Sequence, residues 1–236
     1  MRNIPVLILI ILPLLGNVCA GGELPDLTHE QQVVTNIIAG KARYGGVLPD
    51  SFVLEMAIAG YSRLKAEGRL SVPSVLTVID YSLPSTAERL WVFDVNSGKL
   101  LYNCLVAHGR NSGELYATAF SNIPGSFTSS EGFYLTGDTY YGRHGLSLYL
   151  DGLEDGINHN ARDRYIVIHS ADYVTREFIK KHGRLGRSHG CPAIPPHKHK
   201  DIIRTIKGGS CLFIYAPVED YTEKSSILNK GSDDQV

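Results

Sequence analysis

The residues best suited to chemistry are one cysteine and two histidines in the last third of the chain. The run Tyr165-Ile166-Val167-Ile168-His169-Ser170 is followed, further along, by Gly186-Arg187-Ser188-His189-Gly190-Cys191-Pro192-Ala193. Acyl transfer through a covalent intermediate needs a nucleophile, a base within hydrogen-bond reach and donors for the developing oxyanion. Cys191 offers the sulfur, and His169 or His189 offers the imidazole. The backbone N–H groups of His189, Gly190 and Cys191 are candidate oxyanion donors. Pro192 has no N–H, but it follows the cysteine and removes none of the three. Gly-Cys alone says little, and nine histidines make chance neighbours common. The compound pattern of His-Ser at the end of an apolar run and then Ser-His-Gly-Cys is much harder to obtain by chance.

The elements that must hold these residues are legible in the apolar period. Residues 21–74 read as a helical flank. Thr28 is an N-cap before Gln31-Gln32-Val33-Val34, with Gly40 as a stop, and Pro49-Asp50-Ser51 opens a second helix that ends at Gly68. From Val75 the period changes to two. Strands are predicted at Val75–Tyr81, Arg89–Val95, Leu100–Ala107, Gly132–Thr136, Leu146–Leu150, Arg164–His169 and Ser210–Ala216, with Asn96-Ser97-Gly98-Lys99 as a hairpin turn. Short helices are predicted at Tyr173–His182 and Pro196–Ile206, and residues 219–236 as a polar tail. Many short strands with few helices imply a mostly-β sandwich or barrel. His169 then sits at a strand end, where a scaffold holds a side chain rigidly, and Cys191 sits in a glycine-containing turn.

Composition narrows the function classes. At 236 residues the chain has room for one good core and a smaller appendage. A formal charge of −1 with scattered Lys and Arg provides no basic stripe, which argues against nucleic-acid binding. Residues 1–20 read as a secretory signal: Arg2, the apolar run Val6–Leu15, then Val18-Cys19-Ala20 ahead of Gly21-Gly22. That run is too short for a comfortable membrane span, so no stable membrane insertion is expected after cleavage. Cleavage after Ala20 leaves Cys104, Cys191 and Cys211, an odd number for an oxidising compartment. Cys104 and Cys211 lie in apolar runs and are either a disulfide or two buried thiols.

The compound motif resembles that of the L,D-transpeptidase (YkuD-like) family, in which a His motif precedes Ser/Thr-His-Gly-Cys by a similar gap. The resemblance extends to Ile79-Asp80-Tyr81-Ser82-Leu83-Pro84-Ser85, Val106-Ala107-His108-Gly109-Arg110-Asn111-Ser112-Gly113, Phe120-Ser121-Asn122, Gly132-Phe133-Tyr134 and Ser147-Leu148-Tyr149-Leu150-Asp151-Gly152-Leu153-Glu154. These are similar to the murein L,D-transpeptidase branch, over residues 75–218. The resemblance implies a β-sandwich with the catalytic loop over one sheet, and peptidoglycan stem peptides as substrates. It implies an exported, periplasmic or envelope-associated enzyme without cofactor or metal. It also implies Cys191 as nucleophile, His169 as general base oriented by the Ser170 carbonyl, and His189 and Gly190 in the oxyanion loop. Pro192-Ala193 departs from family members that carry an aliphatic residue and then Arg or Asn after the cysteine. Arg187 or Arg184 would then supply the missing polar side chain.

Arg187, Ser188, Tyr149 and His108 are the candidate substrate-binding residues. His108 and His144 are each as easily turn histidines as cleft residues, and Tyr140, Tyr141 and Tyr149 are equally at home in a β-rich core. Within cysteine chemistry, L,D-carboxypeptidase or endopeptidase activity needs the same acyl-enzyme, resolved by water rather than an amine. A zinc peptidase could draw on His159, Asp163, His169, His189, Cys191 and His199, but neither His-Glu-x-x-His nor Cys-x-x-Cys occurs. A non-catalytic wall-binding module would need no cysteine beside an ordered histidine.

Overall fold

The structure is a computed structural model that describes residues 28–229; the signal reading of residues 1–20 lies outside the described residues. Helix α1 (His29–Tyr44) opens with a capping box in which the Thr28 hydroxyl accepts from Gln31 N–H and the Gln31 side-chain Oε1 accepts from Thr28 N–H. The predicted stop at Gly40 is not a stop: the helix runs through it to Gly45. A Cβ there would sit 2.0 Å from the Gly98 carbonyl, so this glycine is where the helix lies directly on the predicted hairpin turn. Helix α2 (Ser51–Ala66) begins as predicted at Asp50, whose carboxylate accepts from Phe52 N–H.

The strands are β1 (Val75–Asp80), β2 (Leu90–Asp94), β3 (Lys99–Cys104), β4 (Gly132–Gly142), β5 (Gly145–Gly152), β6 (Val167–Ser170), β7 (Ala193–Ile194) and β8 (Cys211–Tyr215). They form one mixed sheet of eight strands in the order β3-β2-β1-β8-β4-β5-β6-β7, with β1/β8 and β6/β7 parallel. The two ends of that order meet, because Ala107, just beyond β3, exchanges both backbone hydrogen bonds with Ala193 of β7. The sheet is therefore bent nearly into a barrel, and the mostly-β class expected from the sequence is the class observed.

Alternation along the strands separates two apolar cores. Leu76, Val78, Trp91, Phe93, Phe133 and Phe213 face outward under α1 and α2, while Val75, Ile79, Leu90, Val92, Tyr134, Leu212 and Ile214 face the enclosed side. This explains why β1 is buried along its whole length and β2 and β8 along all but their last residue: both faces are covered. The enclosed core is completed by Ile202, Ile203 and Ile206 of α4 (His199–Ile206), which follows α3 (Arg176–His182). Cys104 belongs to the enclosed core and Cys211 to the outer one, and both are unpaired thiols. No helix among the described residues is long and apolar enough to cross a membrane.

The C-terminal segment differs from the expected polar tail. Tyr221–Lys224 and Ser226–Asn229 form two short helices, α5 and α6. Tyr221 and Ile227 are buried in the outer core, and the fully buried Glu154 accepts from Phe133 N–H, the Tyr221 hydroxyl and the Ser225 hydroxyl. Their apolar residues are too few to stand out among polar neighbours, and only the groove beside Glu154 makes them a face.

Candidate active site

Two strands and one loop converge here. β6 delivers His169, which is 4% exposed, and β7 lies beside it in parallel register with Ala193 opposite His169. The loop between α3 and β7 carries Cys191 to the same edge. It is pinned at its start by Ser188 N–H donating to the His108 carbonyl (3.0 Å) and Arg110 N–H donating to the Ser188 carbonyl (2.8 Å). The Ser188 hydroxyl then donates to the Cys191 carbonyl (2.6 Å) and accepts from Gly190 N–H (3.1 Å), and the Ser129 hydroxyl donates to the Gly190 carbonyl (3.0 Å). Gly190 has φ +121°, and a Cβ on it would lie 2.7 Å from the Thr128 carbonyl, so no other residue fits this turn without movement.

The Cys191 thiol faces the backbone before β6. It accepts from Val167 N–H (3.5 Å) and donates to the Tyr165 carbonyl (3.4 Å). Burial pushes the thiol up from its ordinary value, opposed by the Val167 N–H and the Arg164 guanidinium. His169 donates from Nδ1 to the Ser170 carbonyl (2.9 Å), which leaves Nε2 with a lone pair and no partner among the described residues. Burial pulls its imidazole below the usual value; the Ser170 carbonyl opposes this, and His144 and His199 add to it. Both shifts favour the neutral forms, an undissociated thiol and a free base.

The two share a cleft of about 300 Å³ with Tyr140, Arg143, His144, Tyr165, Tyr173, Arg187, Ser188 and His189. The His144 ring packs on His169 with centroids 4.6 Å apart, and Tyr173 is pushed up to about 12 by burial, so it is a neutral hydroxyl. His189 is exposed and rests on Phe127 at 4.6 Å. Of the three expected oxyanion donors, Gly190 N–H already serves the Ser188 hydroxyl. The N–H groups of His189 and Cys191 make no hydrogen bond to any other described residue, the Cys191 N–H lying against its own sulfur.

The structure thus brings together Cys191, His169, His189, Ser188 and Arg187, with Ser170 and Gly190 supporting them from behind. It withdraws two expected contacts. Tyr149 does not line the cleft; it stacks on Tyr140 at 4.7 Å and lies under the Arg162 guanidinium. His108 is 1% exposed, accepts from Arg89 at Nδ1 (2.8 Å) and faces the Gly113 carbonyl at Nε2 (3.2 Å), a fully partnered core histidine. Arg187 and Arg184 do not stand free either, since both bind Glu114 at 2.7 Å. Pro192 and Ala193 are buried, so the positions after the cysteine face the protein rather than the cleft.

Tyr165, Arg143 and Tyr173 are the cleft residues that sequence reasoning missed. The predicted strand Arg164–His169 begins only at Val167, and Tyr165 has φ +55°, which turns its carbonyl to the thiol. A tyrosine in the left-handed region has no local signature, because only the surrounding contacts hold it there. Arg164, also unforeseen, ties that turn to the Ser121 and Thr128 carbonyls (2.6 and 2.7 Å).

Burial of His108 has a measurable consequence. Burial first, and the Arg89 guanidinium second, push its imidazole down from 6.5 to about 4. The unfolded chain takes up this proton at a higher pH than the folded one, so His108 removes stability as pH falls through that window. The loss reaches about 3 kcal/mol near the acid end. Asp80, Glu131 and Glu154, which burial pushes up, act in the opposite sense but are shared by wild type and variant. His108→Gln is therefore expected to flatten the acid side of the stability curve relative to wild type. Urea unfolding of both proteins between about pH 7 and about pH 4 checks this; parallel curves would refute it.

Among the described residues, no three His, Cys, Asp or Glu side chains are grouped to hold a metal ion. A family model for the L,D-transpeptidase catalytic domain matches residues 49–215. No curated protein matches the chain. Similar solved structures include an L,D-transpeptidase from Mycobacterium smegmatis, 13% identical over 61% of this chain and 59% of that one, with a TM-score of 0.39. Another is L,D-transpeptidase 3 from Mycobacterium tuberculosis, 10% identical over 61% of each chain, with a TM-score of 0.38. A third, from Xylanimonas cellulosilytica, is 15% identical over 91% of this chain and 94% of that one, with a TM-score of 0.35. The alignments with the two mycobacterial proteins span about three fifths of their lengths.

Proposed function

This chain belongs to the L,D-transpeptidase catalytic domain family, and on that premise we propose that it is an exported murein L,D-transpeptidase working through a Cys191 acyl-enzyme. One observation carries the reading. A thiol and an imidazole with a free Nε2 line one cleft, and two unpartnered backbone N–H groups lie on the cysteine's own loop.

The steps follow from the groups present. His169 Nε2 takes the thiol proton as Cys191 Sγ bonds to the donor carbonyl carbon, and the carbonyl electrons move onto oxygen. The N–H groups of His189 and Cys191 receive that oxyanion. It collapses with breakage of the C–N bond, His169 returns the proton to the departing amine, and a thioester remains. An acceptor amine then attacks the thioester, loses its proton to His169, and releases the new amide with the thiol restored. If water takes the place of the amine, the same site is an L,D-carboxypeptidase or endopeptidase. The idle wall-binding reading assigns no role to the free Nε2 that shares the cleft with Cys191, and the zinc-peptidase reading finds no group of three ligand side chains among the described residues.

The test is incubation of the purified protein with peptidoglycan stem-peptide fragments and reading of the products by mass. A cross-linked product is expected. A shortened stem or released peptide alone makes water the acceptor, and absence of any product overturns the proposal.

A further inference from the structure

The cleft has a one-sided charge. Its lining includes two arginines, Arg143 and Arg187, and no aspartate or glutamate. Arg187 already has its partners: its guanidinium donates to Glu114 (2.7 Å), a carboxylate it shares with Arg184, and to the Arg110 and Gly113 carbonyls. Arg143 has no ion pair or hydrogen bond to any described residue.

Its position is set by the sheet rather than by a loose loop. Strands β4 and β5 stay paired to the very tip, Tyr140 with Ser147, Tyr141 with Leu146 and Gly142 with Gly145, so Arg143 and His144 form the turn itself. His144 packs on the His169 ring at 4.6 Å, which fixes the tip beside the candidate base. The hairpin thus holds an uncompensated guanidinium at the edge of the cleft that contains Cys191. A planar fork of donors in that place matches a carboxylate.

We propose that Arg143 binds a carboxylate of the acyl donor, so that the cleft selects anionic peptides. This deepens the reading of the cleft as an acyl-donor site and rests on it. Arg143 takes the part that the sequence assigned to Arg187 or Arg184, both of which Glu114 occupies.

Binding and turnover are measured separately, so that the two readings can fail separately. Binding is titrated calorimetrically in the Cys191→Ala background, with a donor stem peptide carrying free carboxylates and with the same peptide amidated. The free peptide is expected to bind roughly tenfold more tightly, and adding Arg143→Gln should remove that preference while Arg143→Lys keeps part of it. Lys200→Gln, the same charge change on the exposed face of α4, should leave the preference intact. Equal binding of the two peptides, binding of neither, or a preference that survives Arg143→Gln overturns the inference. Wild-type turnover is followed in parallel. Carboxylate-selective binding without turnover sinks the transpeptidase reading and leaves the Arg143 site standing, whereas turnover indifferent to Arg143 does the reverse.

Discussion

Cys191→Ala is expected to abolish product formation, a loss of at least roughly a thousandfold, because no covalent intermediate can form without the sulfur. The fold should survive the change. The side chain is only partly buried, and its two long contacts, 3.5 Å from Val167 N–H and 3.4 Å to the Tyr165 carbonyl, are weak hydrogen bonds. Unfolding stability should therefore stay within about 1 kcal/mol of wild type. The same variant tests which thiol is reactive. Cys104 is 2% exposed and Cys211 fully buried, and burial pushes both thiols up, Cys104 to about 12. Iodoacetamide should thus add one label to the folded protein prepared without residues 1–20, which removes Cys19, and none to Cys191→Ala in the same form, as read by intact mass. Its rate at Cys191 should keep climbing with pH beyond the point where an ordinary thiol, near ~8.5, levels off. Retained turnover in the purified variant would remove the cysteine mechanism altogether.

His169→Ala should cost about 10²–10⁴ in turnover, the usual worth of a positioned general base. His189→Ala should cost less: its ring is exposed on Phe127, and the loop contributes through a backbone N–H that alanine retains. The pH profile separates a base from a structural support. Only neutral His169 can accept the thiol proton, and burial holds its imidazole below 6.5. Wild-type kcat/KM should therefore stay level as pH falls past that ordinary value and decline only further into acid, where His169 protonates. That acid limb should vanish in His169→Ala and persist in His189→Ala. The reverse pattern, with the limb lost only in His189→Ala, would exchange their roles.

Most of the architecture was legible because local pattern and global fold agree. β1, β2 and β8 announce themselves by the change of period at Val75 and their β-branched and aromatic residues, and the caps at Thr28 and Asp50 are local hydrogen bonds that short-range spacing predicts. The boundaries that failed are those where a distant contact overrides the local signal. Gly40 looks like a helix stop, yet it is small so that the β2–β3 turn can lie against α1. β4 looks finished at Gly137-Asp138, yet a register shift between Thr136 and Thr139 lets it run on to Gly142 and carry the hairpin to the cleft. β7 has only two residues, too few for any periodic signal, and exists because Ala107 and His169 lie on either side of it.

The same division holds for the site. The sequence by itself determined the chemical inventory, a Gly-Cys turn and a His-Ser strand end, because residue type and short spacing settle what a loop can present and what a strand end can hold. The tertiary structure alone decided which neighbours act on that inventory. It drew His108 into a pocket beside Arg89, bound Arg187 and Arg184 to Glu114, turned the Tyr165 carbonyl onto the thiol and left Arg143 free at the hairpin tip. The physical reason is that desolvation and charge pairing depend on distances in space, which separation along the chain does not encode.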